Sequence, residues 1–380
     1  VTGALHNHVD LYKKNGQWVT VYTDASTGTV DSLHADDVRP ENIASELASA
    51  GASKPDRKAV DEALRQSAKG IPDPVTRLLL VNDGTVEFDE FLPGTLVMPG
   101  FSTVGAVPNL APLVRHRPED FAYVVAQVGR DGGEIELHRA NSLYNDGDST
   151  HVDGSTENLK KVPGGGWSQG GYQHRTENVW KANAAEIADE IDRVVRTCRA
   201  RLLIIAGDIR ARKLVADQVS EASKEILTII DSHSRTDGAD KSAFARKVEE
   251  CVAENIGRRQ AKLLDRLNEQ QGHANPESAV GLGAVVHALQ QAQVETLLLD
   301  TSAWDDHSLL ALDAEPWVAA VDSETAGVGV LGKVPASSSL LRAAALTDAN
   351  IVLFPSGALD SHRIAALLRW PTGPTVPAGS

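Results

Sequence analysis

The chain has 380 residues, 42% of them hydrophobic and 23% charged, with a formal net charge of −15. That length allows two or three domains of ordinary size. The acidic balance excludes a protein that binds nucleic acid through its overall field, so any RNA contact must come from local basic islands. With aromatic residues at 4%, the cores must rest mainly on Val, Leu, Ile and Ala. No apolar run approaches bilayer length, and the opening "VTGALHNHVD" lacks the basic-then-apolar order of a signal peptide. Cys198 and Cys251 are too few for a disulfide framework, fall in helical patterns and read as small buried hydrophobes. A monomer in a reducing cytoplasm, away from membranes, is expected.

The fold class is α/β, in three mixed α/β domains over 1–117, 118–236 and 237–380. In the first, "WVTVYTD" (Trp18–Asp24) alternates like a strand. "ENIASELASAG" and "RKAVDEALRQSAKG" read as helices stopped by Gly51 and Gly70. "RLLLV" and "VEFDEFL" flank "NDG", a hairpin signal. A proline-punctuated stretch, Pro93 to Pro118, leads to the boundary.

The second domain opens with a hairpin, "FAYVVAQV" and "EIELHR" joined by "RDGG". Ile135 and Leu137 share one face of it, Glu134 and Glu136 the other. The polar stretch Asn141–Asn158 is expected to be flexible. A loop follows, "KVPGGGWSQGGYQHRTEN" (Lys161–Asn178), and then Trp180, Ala184, Ile187, Ile191, Val194 and Cys198 at helical spacing. "LLIIAG", "RARKLVADQV" and "ILTIID" read as strand, helix and strand, which implies a parallel pair with a right-handed crossover.

In the third domain a turn-rich linker, Ser232–Asp240, precedes a long helix, Lys241 to Gln271, ended by Gly272. "AVGLGAVVHALQQAQ" reads as a helix, "VETLLLD" and "WVAAV" as strands, "SSSLLRAAALTDA" as a helix, "NIVLFP" as a strand and "SHRIAALLRW" as a helix. The tail "PTGPTVPAGS" reads as disordered.

Most short motifs fail on their context. "GVGVLGKV" (Gly327–Val334) has phosphate-loop spacing, but Val334 stands where magnesium needs Ser or Thr. Pro335 follows where a helix N-terminus should present amides, so the stretch reads as a turn between a strand and a helix. "GLG" (Gly281–Gly283) lacks a preceding strand and a third glycine for a dinucleotide fingerprint. His6, His8 and Asp10 are metal-type ligands that no other cluster completes, and no nucleophile elbow occurs. No metal, cofactor or catalytic residue is expected.

The loop is a different case. Between Asn158 and Thr176 there is no acidic residue, while Lys160, Lys161 and Arg175 are present. A second basic island holds Arg193, Arg196, Arg199, Arg201, Arg210, Arg212 and Lys213 against Asp208 alone. Each arginine can equally be part of a solvated helix face, but two islands in one domain point to a polyanion surface. Gly164, Gly165, Gly166, Gly170 and Gly171 let the backbone approach RNA closely. Trp167 and Tyr172 can stack on bases, and Ser168, Gln169, Gln173, His174 and Arg175 offer hydrogen bonds. Arg196, Arg199, Arg210, Arg212 and Lys213 form the secondary RNA-binding set.

The order of hairpin, glycine–glutamine loop, long helix and strand–helix–strand resembles the central domain of archaeo-eukaryotic release factor 1 and its relative Pelota. "GLGAVVHALQQAQVETLLLD" (Gly281–Asp300) and "LLRAAALTDANIVLFP" (Leu340–Pro355) resemble the family's third domain. The resemblance covers roughly residues 118–370, matches the first domain by position only, and leans toward the bacterial Balon-like ribosome hibernation factors. It implies a tRNA-shaped arrangement with a kink-turn-protein-like third domain. The first domain would face the decoding centre of the 70S ribosome and the loop would face the peptidyl-transferase centre of the A site, contacting 16S and 23S rRNA, with elongation factor Tu as a further partner. The family's Gly-Gly-Gln tip is broken here, since Gln169 follows Trp167-Ser168 and Gln173 follows Gly171-Tyr172. The stop-codon tetrapeptide Asn-Ile-Lys-Ser is absent; "NIAS" (Asn42–Ser45) has Ala44 for the lysine. A non-catalytic occupant of the vacant A site is therefore expected. The alternative is a rescue factor that releases nascent chains from stalled peptidyl-tRNA, because "WSQ" keeps the Ser-Gln of a stalled-ribosome relative.

Overall fold

A computed structural model describes residues 5–26, 30–66, 73–119, 121–129, 132–140, 149–153, 169–231, 241–301, 307–359 and 362–371, with the backbone alone at His6, 30–39, 149–153, 169–180 and Lys241. By packing, the chain divides into two compact units, 1–119 with 262–380, and 120–261. This differs from the three-segment expectation in joining the first and last segments. The 236/237 boundary lies outside the described residues.

The first unit begins with a 3₁₀ turn, His6–Lys13, then β1 (Trp18–Asp24), α1 (Val30–Ser49), α2 (Lys54–Leu64), β2 (Val75–Asn82), β3 (Thr85–Pro93), β4 (Phe101–Gly105) and α3 (Ala111–His116). The strands form an antiparallel sheet ordered β3-β2-β1-β4. The expected "NDG" hairpin is present, with Asp83 and Gly84 at φ of 48° and 75°, as a tight primed turn requires. Its tip is tied down by Asp56, which is 2% exposed and accepts from Gly84 N and from Ser53 Oγ, both at 2.6 Å. Ser53 in turn caps α2, accepting from Asp56 N at 3.1 Å. Val19, Val21, Leu79 and Val81 pack on Ile43, Leu47, Val60 and Ala63 of the two helices.

The second unit contains β5 (Ala122–Gly129), β6 (Gly132–Arg139), β7 (Ser149–Asp153), α4 (Gln169–Cys198), β8 (Leu202–Gly207), α5 (Ile209–Gln218), α6 (Glu221–Glu225), β9 (Leu227–Ile229) and the first part of α7 (Lys241–Gln271). Its sheet runs β7-β6-β5-β8-β9. The pairs β5–β8 and β8–β9 are parallel, and β6 is antiparallel to both of its neighbours. The expected crossover from β8 through α5 to a parallel β9 is thus present. One face packs Val124, Ala126, Leu203 and Ile205 against Ala184, Ile187, Ala188 and Ile191 of α4. The other packs Val125, Leu202 and Ile204 against Phe244, Val248 and Cys251 of α7. Cys198 and Cys251 are free thiols, partly and fully buried.

The chain then adds β10 (Ser278–Val280), α8 (Leu282–Gln290), β11 (Val294–Asp300), β12 (Ser308–Leu312), β13 (Val318–Ala319), β14 (Val330–Pro335), α9 (Ala336–Leu346), β15 (Asn350–Phe354) and β16 (Ile364–Leu368) to the first unit. These form sheets ordered β10-β16-β11-β15 and β13-β12-β14. One continuous core joins the two ends of the chain, with Tyr12, Trp18, Leu78 and Leu110 in the same cluster as Val286, Leu297, Leu340 and Leu341. Arg342, 2% exposed, lies within it. Its Nε donates to Tyr12 O at 3.3 Å, and its Nη1 donates to Leu312 O at 2.9 Å and Trp317 O at 3.2 Å.

Four expectations are corrected. "SHRIAALLRW" holds a strand, β16, inserted between β10 and β11; a run buried on both faces carries no period that separates it from a helix. Residues 149–153 of the stretch expected to be flexible pair with β6 as β7. A strand does precede "GLG": β10 ends at Val280, and Gly281, at φ 86°, turns the chain into α8. The end of "GVGVLGKV" is the strand β14, and α9 starts directly after Pro335.

Gly207 ends β8 at φ +118°, and a Cβ there would lie 1.9 Å from Val128 O on the adjoining β5. Gly207→Ala is expected to destabilise the second unit by about 3 kcal/mol or more, read as a lower urea midpoint in far-UV circular dichroism.

Candidate nucleic-acid interface

The candidate interface is organised by α4. Ala184, Ile187, Ala188, Ile191 and Val195 are its buried stripe against the sheet. Asn183 and Arg210 flank a small cleft with Gly129, Ala184 and Ile187, so this level of α4 lies at the end of the sheet where β5 finishes and α5 starts. From Gln169 to Asn183 the helix rises about 20 Å, at roughly 1.5 Å per residue. Farther along, Asp192 fixes α4 to α6. It accepts from Ser220 N and Ser220 Oγ, both at 2.9 Å, and from Ser223 Oγ at 2.5 Å. Sequence reading missed this clamp, although Ser220 directly before a short helix is a capping signal; Ser220 also accepts from Ser223 N at 3.3 Å.

The expected loop residues divide in two. Lys160, Lys161, Gly164, Gly165, Gly166, Trp167 and Ser168 lie outside the described residues. Gln169, Gly170, Gly171, Tyr172, Gln173, His174 and Arg175 form the first two turns of α4, a correction to their reading as loop. Glycine costs about 1 kcal/mol inside a helix, but the first turn has its amides uncommitted and tolerates it. That turn holds no acidic residue, so the positive end of the helix dipole is not neutralised from within.

The secondary arginine set is not one patch. Arg196 and Arg199 are exposed at the carboxyl end of α4, and Arg210 and Lys213 are exposed on α5. Between Arg199 and Arg210 lies β8, whose six residues span about 20 Å at 3.3 Å each. Arg210 and Lys213 therefore share the end of the sheet toward which the start of α4 runs, and Arg196 and Arg199 sit at the opposite end. Arg212 is a correction. It is 7% exposed, and its Nη1 donates to Ile230 O and to Asp231 Oδ1, the latter at 2.6 Å, so it is an internal brace and offers no surface charge. Arg193 is tied to Glu190 at 2.5 Å; this hydrogen bond pulls the Glu190 carboxyl down and pushes the guanidinium up. The Arg201 guanidinium covers the Phe121 ring at 4.2 Å.

Elsewhere in this unit Tyr123 stacks on His138 across the β5–β6 hairpin, with centroids 5.1 Å apart and planes at 16°. Burial pushes the Tyr123 phenol up. The hydrogen bond from His138 Nε2 to Glu136, at 2.9 Å, holds that carboxyl below its ordinary range. In the first unit Lys13, Lys14 and Lys58 pair with Asp10, Glu87 and Glu62. Among the described residues no group of His, Cys, Asp and Glu can hold a metal ion, and no helix is long and apolar enough to cross a membrane.

The second unit is a mixed sheet with a long helix across one face and a glycine–glutamine segment at that helix's start. Residues 122–273 match the model of bacterial archaeo-eukaryotic release factor family 2. The match begins on the first residue of β5 and ends just past α7. Similar proteins include two uncharacterized proteins of Mycobacterium tuberculosis, from strains H37Rv and CDC 1551, each 25% identical over 299 residues that cover 76% of this chain and 76% of theirs. Similar solved structures include an archaeal translation termination factor, 14% identical over 97% of both chains with a TM-score of 0.24. Pelota of Archaeoglobus fulgidus is 16% identical, covering 78% of this chain and 80% of its own, with a TM-score of 0.32. Dom34 of S. cerevisiae is 11% identical over 79% and 82%, with a TM-score of 0.40.

If this surface binds RNA, the exposed and the internal basic residues are expected to separate in a titration of the protein with a ribosomal RNA fragment. Arg210→Gln and Lys213→Gln are each expected to lower the slope of log affinity against log salt by about one. Arg212→Gln is expected to leave the slope unchanged and to cost about 2 kcal/mol of stability in urea.

Proposed function

We propose that the protein is a non-catalytic ribosome hibernation factor that occupies the vacant A site of the bacterial 70S ribosome. In this reading the start of α4 and the segment before it point to the peptidyl-transferase centre, the first segment faces the decoding centre, and elongation factor Tu is a further partner. The protein acts as a cytoplasmic monomer. The family match of residues 122–273 supports a ribosomal role. The observation that carries the non-catalytic part is the broken tripeptide. Trp167 and Ser168 stand before Gln169, and Gln169 is itself the first residue of α4. A glutamine that positions water on an ester needs the backbone freedom that two preceding glycines supply.

The second reading is ribosome rescue, favoured by the retained Ser168-Gln169 pair. There the glutamine orients a nucleophile and nearby amides stabilise the developing charge.

In stationary-phase lysates the protein is expected to co-sediment with 70S particles at low salt and to dissociate as salt rises. Its absence from every ribosomal fraction at low salt would overturn the ribosomal reading. With stalled peptidyl-tRNA complexes, no release of nascent chain is expected; release that is lost in Gln169→Ala would establish rescue instead.

A further inference from the structure

Away from the candidate interface, the first unit contains a cleft of about 410 Å³ between two strands that are each the outer member of their sheet. One wall is β4 with the residues just before it, including Met98, Gly100, Phe101 and Thr103. The facing wall is the end of β14 with the first turn of α9, contributing Lys333, Val334, Pro335 and Ser338. The volume falls in the range of small-ligand sites, roughly 300–1,000 Å³. The walls approach each other near Gly332, where an added Cβ would sit 2.9 Å from Ala106 Cβ.

Three features of this cleft are unmatched. Ser338 is 2% exposed, and its Oγ is buried with no hydrogen-bond partner among the described residues, so its desolvation is uncompensated when nothing fills the cleft. The N-terminus of α9, an eleven-residue helix, has Pro335 at its cap, no side-chain cap and no acidic residue in its first turn, and of its first-turn amides Ala336 N donates to His307 O at 2.8 Å. Lys333 is exposed on the cleft wall and forms no ion pair among the described residues. A hydroxyl donor, a helix N-terminus and an ammonium group all favour an oxyanion, and they converge on one cleft. Met98, Phe101, Val104, Val107 and Val334 form the apolar part of the lining, and Thr20, Thr103 and Asn109 add polar side chains to it.

We infer that this cleft binds a small amphiphilic anion, with a phosphate or carboxylate head held by Lys333, Ser338 and the first turn of α9 and an apolar body laid against Phe101 and Val104. It is not a phosphate loop. Gly327, Gly329 and Gly332 do not line it, and Val334 cannot hold magnesium. The site is independent of the ribosomal reading and stands or falls separately.

Isothermal titration of the full chain with hexyl phosphate, hexanoate and hexanol tests it. At least one anion is expected to bind saturably with one site per chain, and hexanol to bind at least about tenfold more weakly, as a charge-assisted head group requires. The tighter anion identifies the head group. Lys333→Gln is expected to weaken that anion about tenfold. Ser338→Ala is expected to weaken it while leaving the melting temperature unchanged or higher, because the hydroxyl has no partner in the free protein. The inference is overturned if neither anion binds at millimolar concentration, if hexanol binds as tightly as the anions, or if Lys333→Gln and Ser338→Ala, both folded by circular dichroism, bind as the parent does.

Discussion

The second unit depends on how one helix is held. Small and branched residues, Ala184, Ile187, Ala188 and Ile191, let α4 lie close on β5 and β8, and Asp192 adds a polar pin to the start of α6. Burying that apolar stripe is worth several kcal/mol in aggregate, which allows the preceding half of a 30-residue helix to carry glycines and polar side chains of low helix propensity. The same division of labour answers how an acidic protein could approach RNA. Arg210, Lys213 and a positively polarised helix start sit at one end of the sheet, where Asp208 caps α5, and charges there act over a Debye length of about 8–10 Å.

Charge along a sequence and charge on a surface are different quantities. Seven basic residues between Arg193 and Lys213 look like one cluster in the chain. In the fold one braces the end of the sheet, one is neutralised by Glu190, one covers an aromatic ring, and the remaining four separate to the two ends of β8. Of these four, Arg210 and Lys213 share the end of the sheet with the start of α4, so the candidate surface is smaller and more directional than composition suggests.

What was legible in the sequence follows from this. Strands with one apolar face and hairpins with strong turn residues, such as β2–β3 around Asp83-Gly84, announce themselves because period and turn chemistry are local. The core stripe of α4 was readable for the same reason. β16 was not, because "IAALL" is covered on both sides and its strand character comes from β10 and β11. β7, with Val152 as its one aliphatic residue, is a strand because β6 offers an edge. Arg212 could not be read as internal because its carboxylate partner is 19 residues away.

The guanidinium of Arg342 has a consequence for how the first unit can diverge. Its hydrogen bonds go to main-chain oxygens of Tyr12, Leu312 and Trp317, and its guanidinium lies 5.4 Å from the centre of the Trp317 ring. A fastening that grips backbone is blind to the identity of most residues it grips. Mutational drift can rewrite the amino-terminal turn and the loop after β12 while the seam between the chain's two extremities survives. The cation itself has no such latitude, since its loss would take a donor from three main-chain oxygens, of which Trp317 O keeps Leu312 N at 3.0 Å.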